Sequence, residues 1–247
     1  MAQRNGIEYA NAGNTGTAAY PMVFSLNRST GFNLGYNQFD IYRYTKDSVR
    51  YYQVLRPYTE LDIIIGLRNE QMFRGRFANQ HKGLIYYGVD FNRISSKGAY
   101  TNQKAVDNSF YLYGIYNSKN KHWTFGADLI FNSFKVQEHG GTPISPFDST
   151  FFRKLFVPIS LPVAENSYRQ VDFYLKSSYT LGKKYFDGRS DSVRTQALMT
   201  IFRISHQLNV ESNKNRYRDK QPSVSYYDDF YLKDSVFNVM DYVKVGN

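Results

Sequence analysis

Apolar and polar residues alternate with a period of two along much of this chain, the mark of strands with two differently solvated faces. Over 58–68, Thr59, Leu61, Ile63, Ile65 and Leu67 fall on one side. Tyr58, Glu60, Asp62, Gly66 and Arg68 fall on the other, with Ile64 the single discord. Over 84–93, Ile85, Tyr87, Val89 and Phe91 oppose Tyr86, Gly88, Asp90 and Asn92. The clearest case is 123–133, where Trp123, Phe125, Ala127, Leu129 and Phe131 oppose Thr124, Gly126, Asp128, Ile130 and Asn132. A polar turn at 117–121 and an aromatic run at 110–116 precede it, which predicts a hairpin. Over 170–181, Val171, Phe173, Leu175 and Tyr179 oppose Asp172, Tyr174, Lys176 and Thr180, and a further strand over 197–210 follows a turn at 187–190. Weaker candidates are 31–44, with Phe32, Leu34 and Tyr36 on one face, and 72–78, with Phe73, Gly75 and Phe77.

These segments make about eight strands, joined by short turns and by two long connections, 138–167 and 211–230. The pattern predicts an all-β, antiparallel, up-and-down transmembrane β-barrel or partial barrel, as one domain over 1–247. Several strands run to ten or more residues, longer than most soluble strands and matched to a tilted span of a bilayer. Aromatic residues gather near strand ends, at Tyr58, Tyr86, Tyr116, Trp123, Tyr168 and Tyr179, where an aromatic girdle is expected. The alternative that fits the same pattern is a soluble or secreted β-sandwich that binds carbohydrate or protein through its aromatic loops.

Composition sharpens this picture in three ways. Hydrophobic residues make up 42% and aromatic residues 17%, yet no apolar run approaches the roughly 18 residues that a membrane helix needs. A membrane strand needs only about 9 to 11 residues, every second one apolar, so the low mean hydropathy of -0.54 is compatible with a barrel. Cysteine is absent, which removes disulfides and thiolate chemistry. Thirty-one basic residues against 21 acidic ones give a net charge of +10, which raises anionic partners, but the charges are scattered. The densest group is Lys214, Arg216, Arg218 and Lys220 around Asp219, read as a solvated loop, and no nucleic-acid partner is expected.

Catalytic chemistry is not signalled. His81, His122, His139 and His206 form no metal pair, and no nucleophile elbow, phosphate loop or dinucleotide fingerprint is present. Gly66, Gly88 and Gly126 fall inside strands, where they permit curvature or close packing. Asp228 and Asp229 adjoin, and Glu60 and Asp62 share a strand face. The second pair reads as part of a polar lumen balanced by Arg68 and Arg93 rather than as an acid–base dyad. The expectation is a protein that is not an enzyme and has no cofactor and no metal. Its lumen candidates are Glu60, Asp62, Arg68, Asp90, Arg93, Asp128, Asp172, Lys176 and Arg203. Its lipid-facing candidates are Leu61, Ile63, Ile65, Ile85, Tyr87, Val89, Phe91, Phe125, Leu129, Phe131, Val171, Phe173 and Leu175. The expected partners are membrane lipid and small solutes, and the mixed signs of the lumen set give no clear ion preference.

A series of short motifs adds a resemblance. NAGNTGTAAYP at 11–21, GFNLGYNQFD at 31–40, RPYTEL at 56–61, EQMF at 70–73, DFNRI at 90–94, GAYTNQ at 98–103 and FKVQEHGG at 134–141 occur in this order, with PISLP at 158–162 less distinctive. Together they resemble the β-barrel porin family of Bacteroidetes, over most of the chain up to about residue 209. The resemblance implies an outer-membrane, porin-like barrel of a Gram-negative cell, without catalytic residues. Members of that family are longer, with a signal peptide ahead and more strands behind. Here residues 1–6 lead into polar sequence and 242–247 lack a terminal aromatic. The chain is therefore read as an N-terminal portion of a barrel, incomplete at both ends, with unpaired strand edges. Closure by about eight strands would instead give a lumen filled with side chains.

Overall fold

In the computed structural model, residues 9–23, 35–143, 157–187, 195–222, 224–227 and 237–246 are described. The alternating segments become long antiparallel strands. A two-stranded sheet pairs β1 (Tyr9–Asn11) with β2 (Ala19–Pro21). The main sheet contains β3 (Tyr58–Ile65), β4 (Gln71–His81), β5 (Ile85–Ser96), β6 (Ala105–Asn117), β7 (Trp123–Glu138), β8 (Ala164–Asp187), β9 (Thr195–Asp219) and β10 (Phe237–Gly246). Its order is β10-β9-β8-β7-β6-β5-β4-β3, so every strand pairs with its neighbour in sequence. This is an up-and-down meander of eight strands, open at β3 and β10: a partial barrel.

Turn chemistry fixes the short connections. Between β4 and β5 lie three residues, Lys82, Gly83 and Leu84; Lys82 and Gly83 both take positive φ, 51° and 65°, and the Leu84 N–H closes the turn on His81 O at 3.1 Å. Between β6 and β7, the Ser118 N–H donates to Trp123 O at 2.9 Å and Lys121 takes φ 57°, closing the predicted hairpin.

Three expectations are corrected. Of the weak strand at 31–44, residues 31–34 lie outside the described residues, and 35–44 form turns rather than a strand. The reason is that this backbone closes turns of its own, such as the Tyr42 N–H on Phe39 O at 3.0 Å, and bonds to side chains of the main sheet rather than joining its ladder: Asn132 Oδ1 accepts from the Tyr44 N–H at 2.9 Å, and Asn132 Nδ2 donates to Tyr44 O at 2.7 Å. The eighth strand is β10 instead. The expected loop at 211–230 is also partly strand, because β9 continues to Asp219 between β8 and β10, from Glu165↔Arg218 on one side to Phe237↔Asp219 on the other. Polar residues on both faces hid it from a period-two search. Finally, β8 and β9 hold 24 and 25 residues, far more than 170–181 and 197–210 suggest. A register shift at Leu181/Gly182 leaves Ile201 unmatched and bends the pair.

One face of the sheet is covered and the other is open. On the covered face Phe39 and Tyr42 pack against Ile94, Ala105, Phe134, Val136 and Tyr168, while Tyr44 and Val49 pack against Tyr111, Tyr113 and Ile130. The aromatic girdle divides accordingly. Tyr116, Trp123 and Tyr179 lie on the open face, but Tyr58 and Tyr86 share the covered face by register and Tyr168 is in the core. Position near a strand end does not say which way a side chain points; its parity does.

Candidate functional site on the covered face

Cross-strand register lines up polar residues that are far apart in sequence. One row runs Glu60, Arg76, Asp90, Tyr111, Ile130, Asp172, Glu211, and the next runs Asp62, Arg74, Asn92, Ser109, Asn132, Gln170, Asn213. Asp90 is fully buried and fully engaged: Arg74 Nη2 donates at 2.8 Å, Arg76 Nε at 2.9 Å and the Tyr44 hydroxyl at 2.6 Å. Arg76 also pairs with Glu60, which accepts from the Tyr58 hydroxyl at 2.9 Å. A buried carboxylate is tolerable only with such pairing and hydrogen bonding.

The segment 36–52 lies across this face and supplies much of that satisfaction. Ser109 Oγ donates to Tyr42 O at 2.9 Å. The Tyr113 hydroxyl accepts from the Tyr52 N–H at 3.0 Å and donates to Tyr52 O at 3.1 Å. The Tyr51 hydroxyl donates to Asp128, and the Arg76 guanidinium sits 4.9 Å from the centre of the Tyr52 ring. Burial pushes the Tyr42 phenol up to about 12, so it stays neutral in its pocket. Close approach needs glycine at two points. At Gly88 a Cβ would stand 2.6 Å from the Tyr113 ring and 2.7 Å from Phe77 O. At Gly16, with φ 91°, it would stand 2.9 Å from Asp107 Oδ2. Asp107 is buried there, and neither of its oxygens is hydrogen-bonded among the described residues.

Where the segment turns, at a short 3-10 helix over Lys46–Ser48, it leaves a cavity of about 540 Å³ against β6–β9. Lys46, Asp47, Tyr51, Tyr174, Lys176 and Gln207 are among its lining residues. Both amines and the Asp47 carboxylate are exposed, and none of the three forms an ion pair among the described residues.

The lumen candidates are thus separated by the fold. Glu60, Asp62, Asp90, Asp128, Asp172, Lys176 and Arg203 share the covered face, Arg203 through an Nε–H donated to Thr180 Oγ1 at 3.1 Å. Arg93 does not. It shares the parity of Phe91, lies on the open face and donates to Asn108 Oδ1 at 3.0 Å. Arg68 falls in a 3-10 turn, Leu67–Asn69, outside any strand. The balance expected from Arg68 and Arg93 comes from Arg74 and Arg76, which sequence reasoning missed although they alternate with Phe73, Gly75 and Phe77. Asp228 and Asp229 lie outside the described residues. Among the described residues, no group of three His, Cys, Asp or Glu is placed to hold a metal.

The lipid-facing candidates Leu61, Ile63, Ile65, Ile85, Tyr87, Val89, Phe91, Phe125, Leu129, Phe131, Val171, Phe173 and Leu175 all share the open face by register. One row crosses the sheet as Phe77, Val89, Leu112, Leu129, Phe173 and Val210. Among the exposed members of this belt the exposure runs from 38% at Tyr87 to 75% at Ile65, while Val89, Phe91, Phe131 and Leu175 are half-buried. Among the described residues no helix is long and apolar enough to cross a membrane, which says nothing of strands.

Consecutive antiparallel strands, filled on one face by their own chain and apolar on the other, define a partial up-and-down β-barrel. The whole chain, residues 1–247, matches the family described as "Putative porin", and the chain belongs to that family. Neither a curated protein nor a solved structure matches it. Family and fold together support a porin-like role.

Proposed function

We propose that this chain forms part of an outer-membrane barrel of a Gram-negative bacterium through which small solutes pass, with the open face toward lipid and the covered face toward water. The observation that carries the reading is the apolar belt. Ile63 is 66% exposed and Leu129 41%, and such side chains each favour an apolar surrounding by about 1.5 to 3 kcal/mol on full burial. A belt of this extent across seven strands calls for an apolar solvent rather than water. The soluble sandwich needs a second sheet over these residues, and among the described residues β1 and β2 lie on the other side, through the bond from the Ala19 N–H to Gln38 O and the approach of Gly16 to Asp107.

Solutes would pass beside segment 36–52, along the cavity that Lys46, Asp47 and Lys176 line. Opposite signs there favour small polar solutes over a single class of ion. No residue is assigned a catalytic role.

Two measurements test the reading. Membrane fractionation with a heat-modifiability gel should return a detergent-extracted band whose mobility changes on boiling. Liposomes carrying the protein should swell in small sugars and not in large ones. A soluble protein with unchanged mobility overturns the proposal.

A further inference from the structure

The open face does not end in the same way at its two rims. Toward the β6–β7 turn the belt runs into aromatic residues: Tyr116, Phe125, Trp123 and Tyr179 cluster, with Trp123 4.6 Å from Tyr179 and stacked on Phe125 at 5.6 Å. Toward the β7–β8 connection it runs into cations. The row Phe91, Phe110, Phe131, Val171 is followed, two residues along each strand, by Arg93, Asn108, Ser133, Arg169 and, on β9, Lys214. Lys135, Arg216 and Arg218 continue outward on the same face. One step between same-face residues is about 6.6 to 6.8 Å, so the first charges stand directly beside the belt. Arg169 even lies over the Phe131 ring, 5.5 Å from its centre. Among the described residues, the one acidic side chain that register places on the open face among these cations is Glu165, 3.1 Å from Lys135. At the same rim, a cavity of about 430 Å³ is lined by Asn69, Gln71, Ser95, Lys97 and Lys104, with no acid among them.

We infer that this rim binds the phosphate of anionic lipid headgroups, and so fixes which rim of the barrel sits in the anionic leaflet. The inference rests on the membrane reading above. Its occupant follows from charge complementarity combined with place. A site for a soluble polyanion has no reason to abut an apolar belt, whereas a lipid phosphate lies at that depth by construction of the bilayer. Arg suits the task, because its planar guanidinium pairs two phosphate oxygens at once while its stem rests on apolar surface. The run Lys214–Arg218, which looks like a solvated loop in the sequence, becomes one end of this rim only because β9 is a strand.

The test is lipid retention by the 247-residue chain, extracted in mild detergent with a mixture of dioleoyl phosphatidic acid and dioleoyl phosphatidylcholine and read by mass spectrometry. Phosphatidic acid should be enriched over phosphatidylcholine. The triple variant Arg169→Gln, Lys214→Gln, Arg218→Gln should lose that enrichment, by up to about fivefold for each side chain in contact. The control pair Lys82→Gln, Lys119→Gln, in turns of the opposite rim, should retain it. Equal enrichment in the triple variant, or equal loss in the control, overturns the assignment to this rim. Displacement of the lipid by millimolar inorganic phosphate or by a thymidine decamer overturns the lipid as occupant. A chain that enters phosphatidylcholine bilayers without any preference also overturns it, and leaves the porin reading standing. A chain that enters no bilayer overturns the porin reading and the rim with it.

Discussion

Val89 and Asp90 are neighbours on β5 with opposite fates. Val89 lies in the open apolar belt, while Asp90 is fully buried and bound by two arginines and a tyrosine. The comparison extends to the whole sheet. The covered face pairs many of its polar groups within the chain, Asp90 above all, partly through side chains brought from segment 36–52, and draws stability from those bonds whatever surrounds the protein. Nothing among the described residues covers the open face, which depends on its solvent. One strand therefore carries two kinds of stability, and they respond to different perturbations.

The largest effect is expected at the covered face. Asp90→Ala leaves the buried Arg76 and the half-buried Arg74 without their shared carboxylate and should cost about 3 to 5 kcal/mol in urea unfolding, in detergent as in lipid. Insensitivity to this change would mean that the buried pairing is not what holds the face. Next comes Phe173→Arg on the open face, which should cost about 2 to 4 kcal/mol at mid-bilayer in refolding into vesicles. Thr124→Arg, on the opposite face, points into the cavity side and should be tolerated better; equal damage from both would break the division into faces.

Smaller effects sharpen the same contrast. Gly88→Val forces a side chain into the Tyr113 ring and should cost about 1 to 3 kcal/mol by overpacking, with the Tyr113 near-ultraviolet signal altered. Asn132→Ala strands the N–H and C=O of Tyr44 and should cost a further amount of about 1 to 3 kcal/mol, with faster amide exchange at Tyr44. Least of all, Lys135→Gln removes an exposed pair with Glu165 and should move stability by under about 1 kcal/mol.

Much of the sheet was legible in advance, for a local reason. Strands β3, β5, β7 and the middle of β8 alternate with few discords, such as Ile64 and Ile130, and alternation is a property of the chain itself. Within each strand parity alone groups the thirteen belt residues, and register brings the groups to one face. The same rule would have removed Arg93 from the lumen set, since an odd residue beside Phe91 cannot share a face with Asp90. Arg74 and Arg76 were equally within reach, on the polar parity of β4. The ends of β9 were not, because Glu211 to Asp219 is polar on both faces and has no period to detect.

Sequence by itself therefore determined the secondary structure class, the faces of the regular strands and the order of the motifs. What covers the inner face was decided only by the tertiary fold. Segment 36–52 joins no ladder of the main sheet among the described residues, so the weak alternation over 31–44 misleads, and its place is set by long-range bonds such as Tyr44 to Asn132 and Tyr52 to Tyr113. The basic rim is likewise tertiary. Arg93, Arg169 and Lys214 are separated by dozens of residues in the chain and become one row through register alone. Parity is written locally, but register is a pairing between distant segments, and only the folded sheet can state it.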